Sequence, residues 1–293
     1  MYDIKALYEA TSVGNAIALL SEHPEAHIIA GGSDVLIKLR EGKLAGSELV
    51  SIYKLDELRG VKLEADGTIR ILPLTSFSHI TRDPIINERI KVLGEAVDMV
   101  GGPQIRNIGT IGGNICNGVT SADSASTLVA WEAEIEITGP SGARTVPIKD
   151  FYISAGKVSL GPAELCTAIL IRPESYESCF GHYIKYAMRN AMDIATLGCS
   201  ANVRLSADKK TIERARMAFG VAGPVPMRAP NAEAAANGKP VSLETIEAFA
   251  KAALSDVNPR TSWRATKDFR LHLVEELSRR AFKKAIELSG GTI

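Results

Sequence analysis

The chain has 293 residues, of which 45% are hydrophobic and 23% charged, and 34 basic side chains balance 34 acidic ones. This length suggests two domains, and the neutral charge balance gives no reason to expect nucleic acid or an anionic membrane as a partner. No apolar run approaches the ~18 residues of a membrane span and no signal peptide is recognisable, so we expect a cytoplasmic protein.

The spacing of cysteine and histidine argues against several kinds of metal and catalytic site. The four cysteines form no CxxC pair, which argues against an iron–sulfur cluster or a zinc site in this chain. No HExxH pattern and no credible nucleophile set occurs. We therefore expect no metal and no catalytic side chain, and a cofactor would have to carry any chemistry. The cysteines, expected to be reduced and mostly buried, are Cys116, Cys166, Cys179 and Cys199.

The start of the chain predicts a helix, a strand and a glycine-rich turn. A helix is expected over residues 12–20, with Ser12 as its N-cap. Residues 27–30 predict a short buried strand that ends at the turn formed by residues 31–34. Backbone N–H groups in such a turn can bind a diphosphate, and residues 35–39 follow with helical or extended character. The alternative is that Ser33 and Asp34 only cap the next element.

The next region predicts a strand, a hairpin and two helices. Residues 49–52 form the strand, and residues 61–74 form a hairpin. A helix starts within residues 75–80, and an amphipathic helix is predicted over residues 88–100 because its apolar side chains share one face. A Gly-Gly-Pro sequence after Val100 stops this helix.

A second glycine-rich stretch, residues 106–114, follows the amphipathic helix. It carries three glycines in five positions, which fits either a tight turn or a loop whose N–H groups approach a ligand. The usual G-x-G-x-x-G dinucleotide pattern is absent. Instead, two glycine-rich loops about 75 residues apart could hold one pyrophosphate from opposite sides, and this pairing is more specific than either loop alone.

After the second glycine-rich stretch the chain predicts one isolated carboxylate and a β-rich segment. Asp123 either caps the helix over residues 125–130 or contacts a ligand, for example ribityl hydroxyls. Residues 134–148 form a β-hairpin, and residues 165–171 form a strand. A linker over residues 174–181 divides the chain into two domains, residues 1–176 and residues 177–293.

The second domain predicts a small α+β unit. Residues 183–188 lead into a strand expected over residues 193–205. The chain turns at residues 208–210, and residues 211–221 return along that strand. Helices are expected over residues 231–236, 243–256 and 268–288, and the last has its apolar side chains on one broad side. No internal repeat or low-complexity segment is present.

The two glycine-rich motifs, in this order, resemble those of the molybdenum hydroxylase flavoproteins, which include the FAD subunits of xanthine dehydrogenase and carbon monoxide dehydrogenase. The motifs are Ala30-Gly31-Gly32-Ser33-Asp34 and Thr110-Ile111-Gly112-Gly113-Asn114, and the similarity extends over nearly the whole chain. The resemblance implies an α+β fold with a two-subdomain, PCMH-type FAD-binding domain. A small α+β C-terminal domain, a three-stranded antiparallel sheet with helices, would follow.

The resemblance also implies which residues bind FAD between the two subdomains. Asp123 is expected near the ribityl or phosphate region, and Leu165 and Lys185 beside the flavin ring. Lys185 would stabilise negative charge on the reduced flavin. The expected FAD-binding residues are His27, Ile28, Ile29, Ala30, Gly31, Gly32, Ser33, Asp34, Gly109, Thr110, Ile111, Gly112, Gly113, Asn114, Asp123, Leu165 and Lys185.

The family resemblance further implies partners and a reaction. The chain would be the FAD subunit of a cytoplasmic, xanthine-dehydrogenase-like heterotrimer of purine catabolism. It would take electrons from a [2Fe–2S] subunit, itself served by a molybdopterin-binding subunit, and pass them to NAD⁺. The alternatives are the flavoprotein of a carbon monoxide or aldehyde dehydrogenase with another acceptor, a stand-alone flavin reductase, and a non-enzymatic nucleotide-binding module.

Two departures from the family pattern stand out. Some relatives place an aromatic residue against the flavin where this chain has Val100, so the flavin is covered differently or Tyr152 takes that place. Relatives that act on benzoyl-CoA-type substrates carry a cysteine-rich insertion that this chain lacks, which argues against that substrate class.

Overall fold

The computed structural model describes residues 2–293, and these form three packed units. The first, the N-terminal subdomain (residues 2–58), has a parallel sheet in the order β1-β3-β2. Its strands are β1 (Ile4–Glu9), β2 (His27–Ile29) and β3 (Ser47–Ser51). Its helices are α1 (Val13–Glu22) and α2 (Val35–Arg40), and a 3₁₀ turn, Asp56–Leu58, follows β3.

Strand β2 is less buried than its apolar sequence predicts. His27 is exposed, and Ile28 and Ile29 are only partly buried. The reason is that β2 is an edge strand of the sheet and borders an open cleft. Helix α1 starts as expected, because the Ser12 hydroxyl accepts the N–H of Asn15 at 3.0 Å.

The central subdomain (residues 59–176) is built on an antiparallel sheet in the order β4-β5-β10-β6-β7. Strand β10 lies in the middle of this sheet, and all seven of its residues are buried. The strands are β4 (Val61–Leu63), β5 (Ile69–Ile71), β6 (Glu134–Gly139), β7 (Gly142–Pro147) and β10 (Leu165–Ile171). A small hairpin of β8 (Tyr152–Ser154) and β9 (Lys157–Val158) precedes β10.

Helices cover this sheet, and most of them lie between β5 and β6. Those between β5 and β6 are α3 (Phe77–Arg82), α4 (Pro84–Arg89), α5 (Lys91–Asp98), α6 (Pro103–Ile108), α7 (Ile111–Cys116) and α8 (Asp123–Ala130). Two short helices, α9 (Ile148–Phe151) and α10 (Pro173–Tyr176), follow β7 and β10.

The single helix predicted over residues 88–100 is wrong, because the structure has two helices that meet at Ile90. Ile90 has φ −142° and ψ 50°, which is not helical. Helix α4 starts earlier than predicted, since the Asp83 carboxylate accepts the N–H groups of Ile85 and Ile86 and Pro84 occupies the first helical position.

The C-terminal domain, taken from its first strand onwards, has three long antiparallel strands, as the resemblance implied, and a two-residue edge strand in addition. Their order is β11-β12-β13-β14. The strands are β11 (Phe180–Tyr186), β12 (Leu197–Leu205), β13 (Ile212–Gly220) and β14 (Met227–Arg228). The helices are α11 (Pro230–Ala236), α12 (Leu243–Ala252), the 3₁₀ turn Ala253–Asp256, and α13 (Lys267–Leu288), which packs against β11 and β12.

The C-terminal sheet packs directly on helix α8 of the central subdomain. The side-chain amide of Asn202 in β12 donates to the carbonyl oxygen of Ala130 at 2.8 Å, and the backbone N–H of Val221 donates to Thr120. This packing brings β11 next to the start of α8. In the described residues, no helix has the length and hydrophobicity needed to span a bilayer.

Candidate functional site

A cleft of about 760 Å³ opens where the three units meet, and this size is typical of a small-molecule site. Most of the residues expected to bind FAD line it. The expected residues on its wall are His27, Ile28, Ala30, Gly31, Gly32, Ser33, Asp34, Gly109, Thr110, Gly112, Gly113, Asn114, Asp123 and Leu165. Ile29, Ile111 and Lys185 are not among the lining residues; Ile111 lies in the core.

The first glycine-rich motif presents unpaired backbone donors to this cleft. Within residues 2–293, no protein group accepts the N–H of Gly31, Gly32, Ser33 or Asp34. Gly32 has φ +75°, a conformation that favours glycine, and its carbonyl oxygen accepts the N–H of Leu36. Asp34 occupies the N-cap position of α2 without a side-chain capping bond. The alternative that the Asp34 side chain only caps the next helix is therefore not supported, because its carboxylate accepts no N–H group of α2.

The second motif is not the open loop that its glycines suggested, because it forms the first turn of helix α7. The Thr110 side chain caps the helix by accepting the N–H of Gly113 at 3.1 Å. The N–H of Ile111 donates to Thr75, that of Gly112 to Pro73, and that of Asn114 to the Thr110 carbonyl. The N–H groups of residues 111–114 are therefore already paired, unlike those of the first motif.

Glycine serves the second motif by allowing close packing. A Cβ on Gly112 would lie 2.7 Å from the carbonyl oxygen and 2.8 Å from the Cα of Pro73. The two motifs also touch: a Cβ on Gly31 would overlap the carbonyl group of Ile108 and lie 3.4 Å from the Cα of Gly109. The motifs thus lie side by side, with the unpaired donors on the first.

Asp123 lies in a buried network between the central subdomain and the C-terminal domain. Its carboxylate accepts the Tyr183 hydroxyl at 2.7 Å and the Lys185 ammonium at 2.8 Å. Lys185 also donates to the carbonyl oxygen of Met99 at 2.9 Å. Burial raises the pKa of Asp123 above its ordinary value, although Lys185 and Tyr183 oppose that shift. Burial also raises the pKa of Tyr183, so its phenol stays protonated and donates.

Sequence reasoning missed Tyr183, although a signal for it exists. Residues two apart on a strand point to the same face, so a strand through Tyr183 and Lys185 places both side chains towards one partner. The structure shows that this partner is Asp123. Lys185 does not line the cleft itself. It forms an ion pair with Asp123, which does line the cleft.

Other lining residues were also missed. From the C-terminal domain come Met192, Asp193 and Ile194, which lie in the segment before β12. That segment was expected to be strand, but its Asp193 carboxylate instead accepts the backbone N–H groups of Arg189 and Ile194. Lys38 and Asn117, which line the cleft and are joined by a hydrogen bond, were missed as well.

The aromatic side chain that lines the cleft is Phe77, and Val100 also contributes to the wall. Tyr152 does not reach it. Its ring is buried in the core of the central subdomain, edge-to-face with Phe151 at a centroid distance of 5.6 Å. Among the cysteines, Cys116 and Cys166 line the cleft, whereas Cys199 is buried in the C-terminal domain.

Two family models match the chain. The model described as the FAD binding domain in molybdopterin dehydrogenase matches residues 2–173. The model described as the CO dehydrogenase flavoprotein C-terminal domain matches residues 182–285.

Curated relatives match over most or all of the chain. A putative xanthine dehydrogenase FAD-binding subunit from Escherichia coli (strain K12) is 43% identical over 293 residues, covering 100% of each chain. The carbon monoxide dehydrogenase medium chain of Hydrogenophaga pseudoflava is 30% identical over 275 residues, covering 94% of each. Among solved structures, a chain of the H. pseudoflava carbon monoxide dehydrogenase that lacks the Mo-pyranopterin moiety superposes with a TM-score of 0.92, at 29% identity, covering 99% of both chains.

Proposed function

Since the chain belongs to the family of FAD-binding domains of molybdopterin dehydrogenases, we propose that it passes electrons from the [2Fe–2S] clusters of a partner subunit to NAD⁺. The chain is an FAD-binding subunit of a molybdenum hydroxylase of the xanthine and carbon monoxide dehydrogenase type, and its class is oxidoreductase. When bound, FAD would accept electrons one at a time and donate them in pairs as a hydride.

The observation that carries this proposal is the set of unpaired donors at the cleft. Four consecutive N–H groups, those of residues 31–34, have no acceptor among residues 2–293, and they lie on the wall of a cleft large enough for a cofactor. Unpaired backbone donors cost free energy unless a ligand or water satisfies them. A diphosphate supplies oxygen acceptors for them. The residues present therefore fit FAD.

The roles proposed for the other expected residues rest on the family resemblance. We assign the diphosphate to the loop of residues 31–34, and the ribityl or phosphate region to Asp123. Leu165, at the start of β10, and the Asp123–Lys185 ion pair would lie near the flavin ring. Tyr183 and Lys185 hold the Asp123 carboxylate in one orientation. In this division, residues 1–176 hold the cofactor and residues 177–293 close one side of the cleft.

The proposal also covers the partner subunits of the chain and the substrate of the complex. We place the chain in a heterotrimer with a molybdopterin-binding subunit and a [2Fe–2S] subunit, acting on a purine. The support is the greater identity with the xanthine dehydrogenase relative, 43% over the whole chain, than with the carbon monoxide dehydrogenase relative, 30%. NAD⁺ as acceptor rests on the resemblance to xanthine dehydrogenases.

Anaerobic titration of the FAD-loaded chain with NADH tests the acceptor. We expect NADH to bleach the absorbance near 450 nm, as dithionite does. Bleaching by dithionite alone would contradict NAD⁺ and favour the carbon monoxide or aldehyde dehydrogenase alternative. Iron and molybdenum analysis of the native complex tests the partners, and a complex that contains neither metal would favour a stand-alone flavin reductase.

A further inference from the structure

The cleft wall carries one lysine whose charge is not neutralised by the protein. Lys38 is the only lysine or arginine among the lining residues. It lies on α2, one helical turn after Asp34, and its side chain is half-buried. Its ammonium donates to the side-chain oxygen of Asn117 at 2.7 Å. Asn117 is the C-cap of α7, so this hydrogen bond joins the N-terminal and central subdomains.

The charged groups around the cleft explain why the position of Lys38 matters. In the described part of the chain, no carboxylate lies within 4.0 Å of its ammonium. Two of the acidic lining residues have cationic partners of their own: Asp123 pairs with Lys185, and Asp193 with Arg189 at 3.8 Å. The third, Asp34, is exposed and forms no ion pair. A neutral amide therefore holds Lys38 in place and leaves its full charge available to a ligand.

We propose that Lys38, held by Asn117, is the counter-charge for the FAD diphosphate and makes the chain selective for FAD over flavins without a diphosphate. The inference rests on the proposed function, because it places FAD in this cleft. The diphosphate carries two negative charges near neutral pH, and the N–H groups of residues 31–34 offer only partial positive charges. A lysine on the helix that follows this loop supplies the missing full charge.

The inference also gives the second glycine-rich motif a part in binding. The N–H groups of residues 111–114 are paired within the protein, so they are not free for the diphosphate. The motif nevertheless sets the position of Asn117, whose backbone N–H donates to the carbonyl oxygen of Gly113 at 3.0 Å. Through Asn117, whose side-chain oxygen accepts the Lys38 ammonium, the second motif helps to position Lys38 at the cleft wall.

Flavin binding by Lys38→Met tests the proposal, with Lys38→Arg as the charge-retaining variant. Lys54→Met is the matched control, because Lys54 is an exposed lysine of the same subdomain that does not line the cleft. Dissociation constants for FAD and riboflavin would be measured by fluorescence titration at low and high salt. Thermal unfolding without flavin would show that the variants keep the fold.

We expect Lys38→Met to weaken FAD binding by roughly tenfold to hundredfold, the range for losing one charge-assisted hydrogen bond. Riboflavin binding should change less than about twofold, and the salt dependence of FAD binding should decrease. Lys38→Arg should retain most of the FAD affinity, and Lys54→Met all of it. Equal losses for FAD and riboflavin, or an unchanged FAD affinity, would overturn the inference alone. A wild-type chain that binds no FAD would overturn the proposed function with it.

Discussion

The two glycine-rich motifs look alike in sequence and differ in what their backbones do. The N–H groups of residues 31–34 have no protein acceptor within the described chain, whereas those of residues 111–114 are all paired. In the first motif, glycine permits a positive φ at Gly32 and close contact with the second motif at Gly31. In the second, Gly112 permits close packing on Pro73. A run of glycines therefore predicts that another group packs closely against the backbone. It does not predict whether that group belongs to a ligand or to the protein itself.

The largest expected effect comes from Gly31→Ala. The added methyl group would overlap the carbonyl group of Ile108, so the first loop must move away from the second motif and its donors lose their arrangement. We expect FAD affinity to fall by roughly hundredfold or more, since several hydrogen bonds to charged oxygens weaken together. Fluorescence titration with FAD measures the loss.

Gly14→Ala is the matched control for Gly31→Ala. Gly14 lies in α1 of the same subdomain, where a Cβ would meet nothing closer than 3.9 Å and alanine favours the helix. It should leave FAD affinity unchanged. If Gly31→Ala bound FAD as well as Gly14→Ala does, the assignment of the diphosphate to the first loop would be wrong.

Gly112→Ala should act on stability more than on binding. Its Cβ would press against the Pro73 backbone, and overpacking of this kind costs about 1–3 kcal/mol. Urea unfolding of the FAD-free chain should show this loss, while the folded fraction keeps FAD affinity within a few-fold of wild type. A variant of full stability that no longer binds FAD would reverse the roles assigned to the two motifs.

Thr110→Val is expected to give the smallest effect. It removes the side-chain oxygen that accepts the Gly113 N–H, at nearly constant volume, and losing such a cap costs about 1 kcal/mol. Thermal unfolding measures this change, and Thr110→Ser should restore most of the stability because it keeps the hydroxyl. A Thr110→Val variant as stable as wild type would show that the cap contributes nothing.

The sequence predicted the fold class and the two glycine-rich parts of the cleft wall, from local signals together with the family resemblance. Helix α1 follows from Ser12, and the turn after β2 follows from Gly31 and Gly32. The break at Ile90 was missed because the apolar periodicity continued across it, and the start of α4 was missed although Asp83 and Pro84 signal it. The partners in contacts between distant segments could not be identified from local patterns, even where strand spacing placed Tyr183 beside Lys185. Neither the Lys38–Asn117 hydrogen bond nor the pairing of Tyr183 with Asp123 could be predicted without the packed units.

Amide hydrogen exchange with and without FAD tests the contrast between the motifs most directly. Without FAD, the N–H groups of residues 31–34 should exchange fast because nothing in the protein accepts them, and those of residues 111–114 should be slower. Addition of FAD should slow exchange strongly in residues 31–34 and little in residues 111–114. If FAD instead protected residues 111–114 and left residues 31–34 exchanging fast, the first loop would not be the diphosphate site.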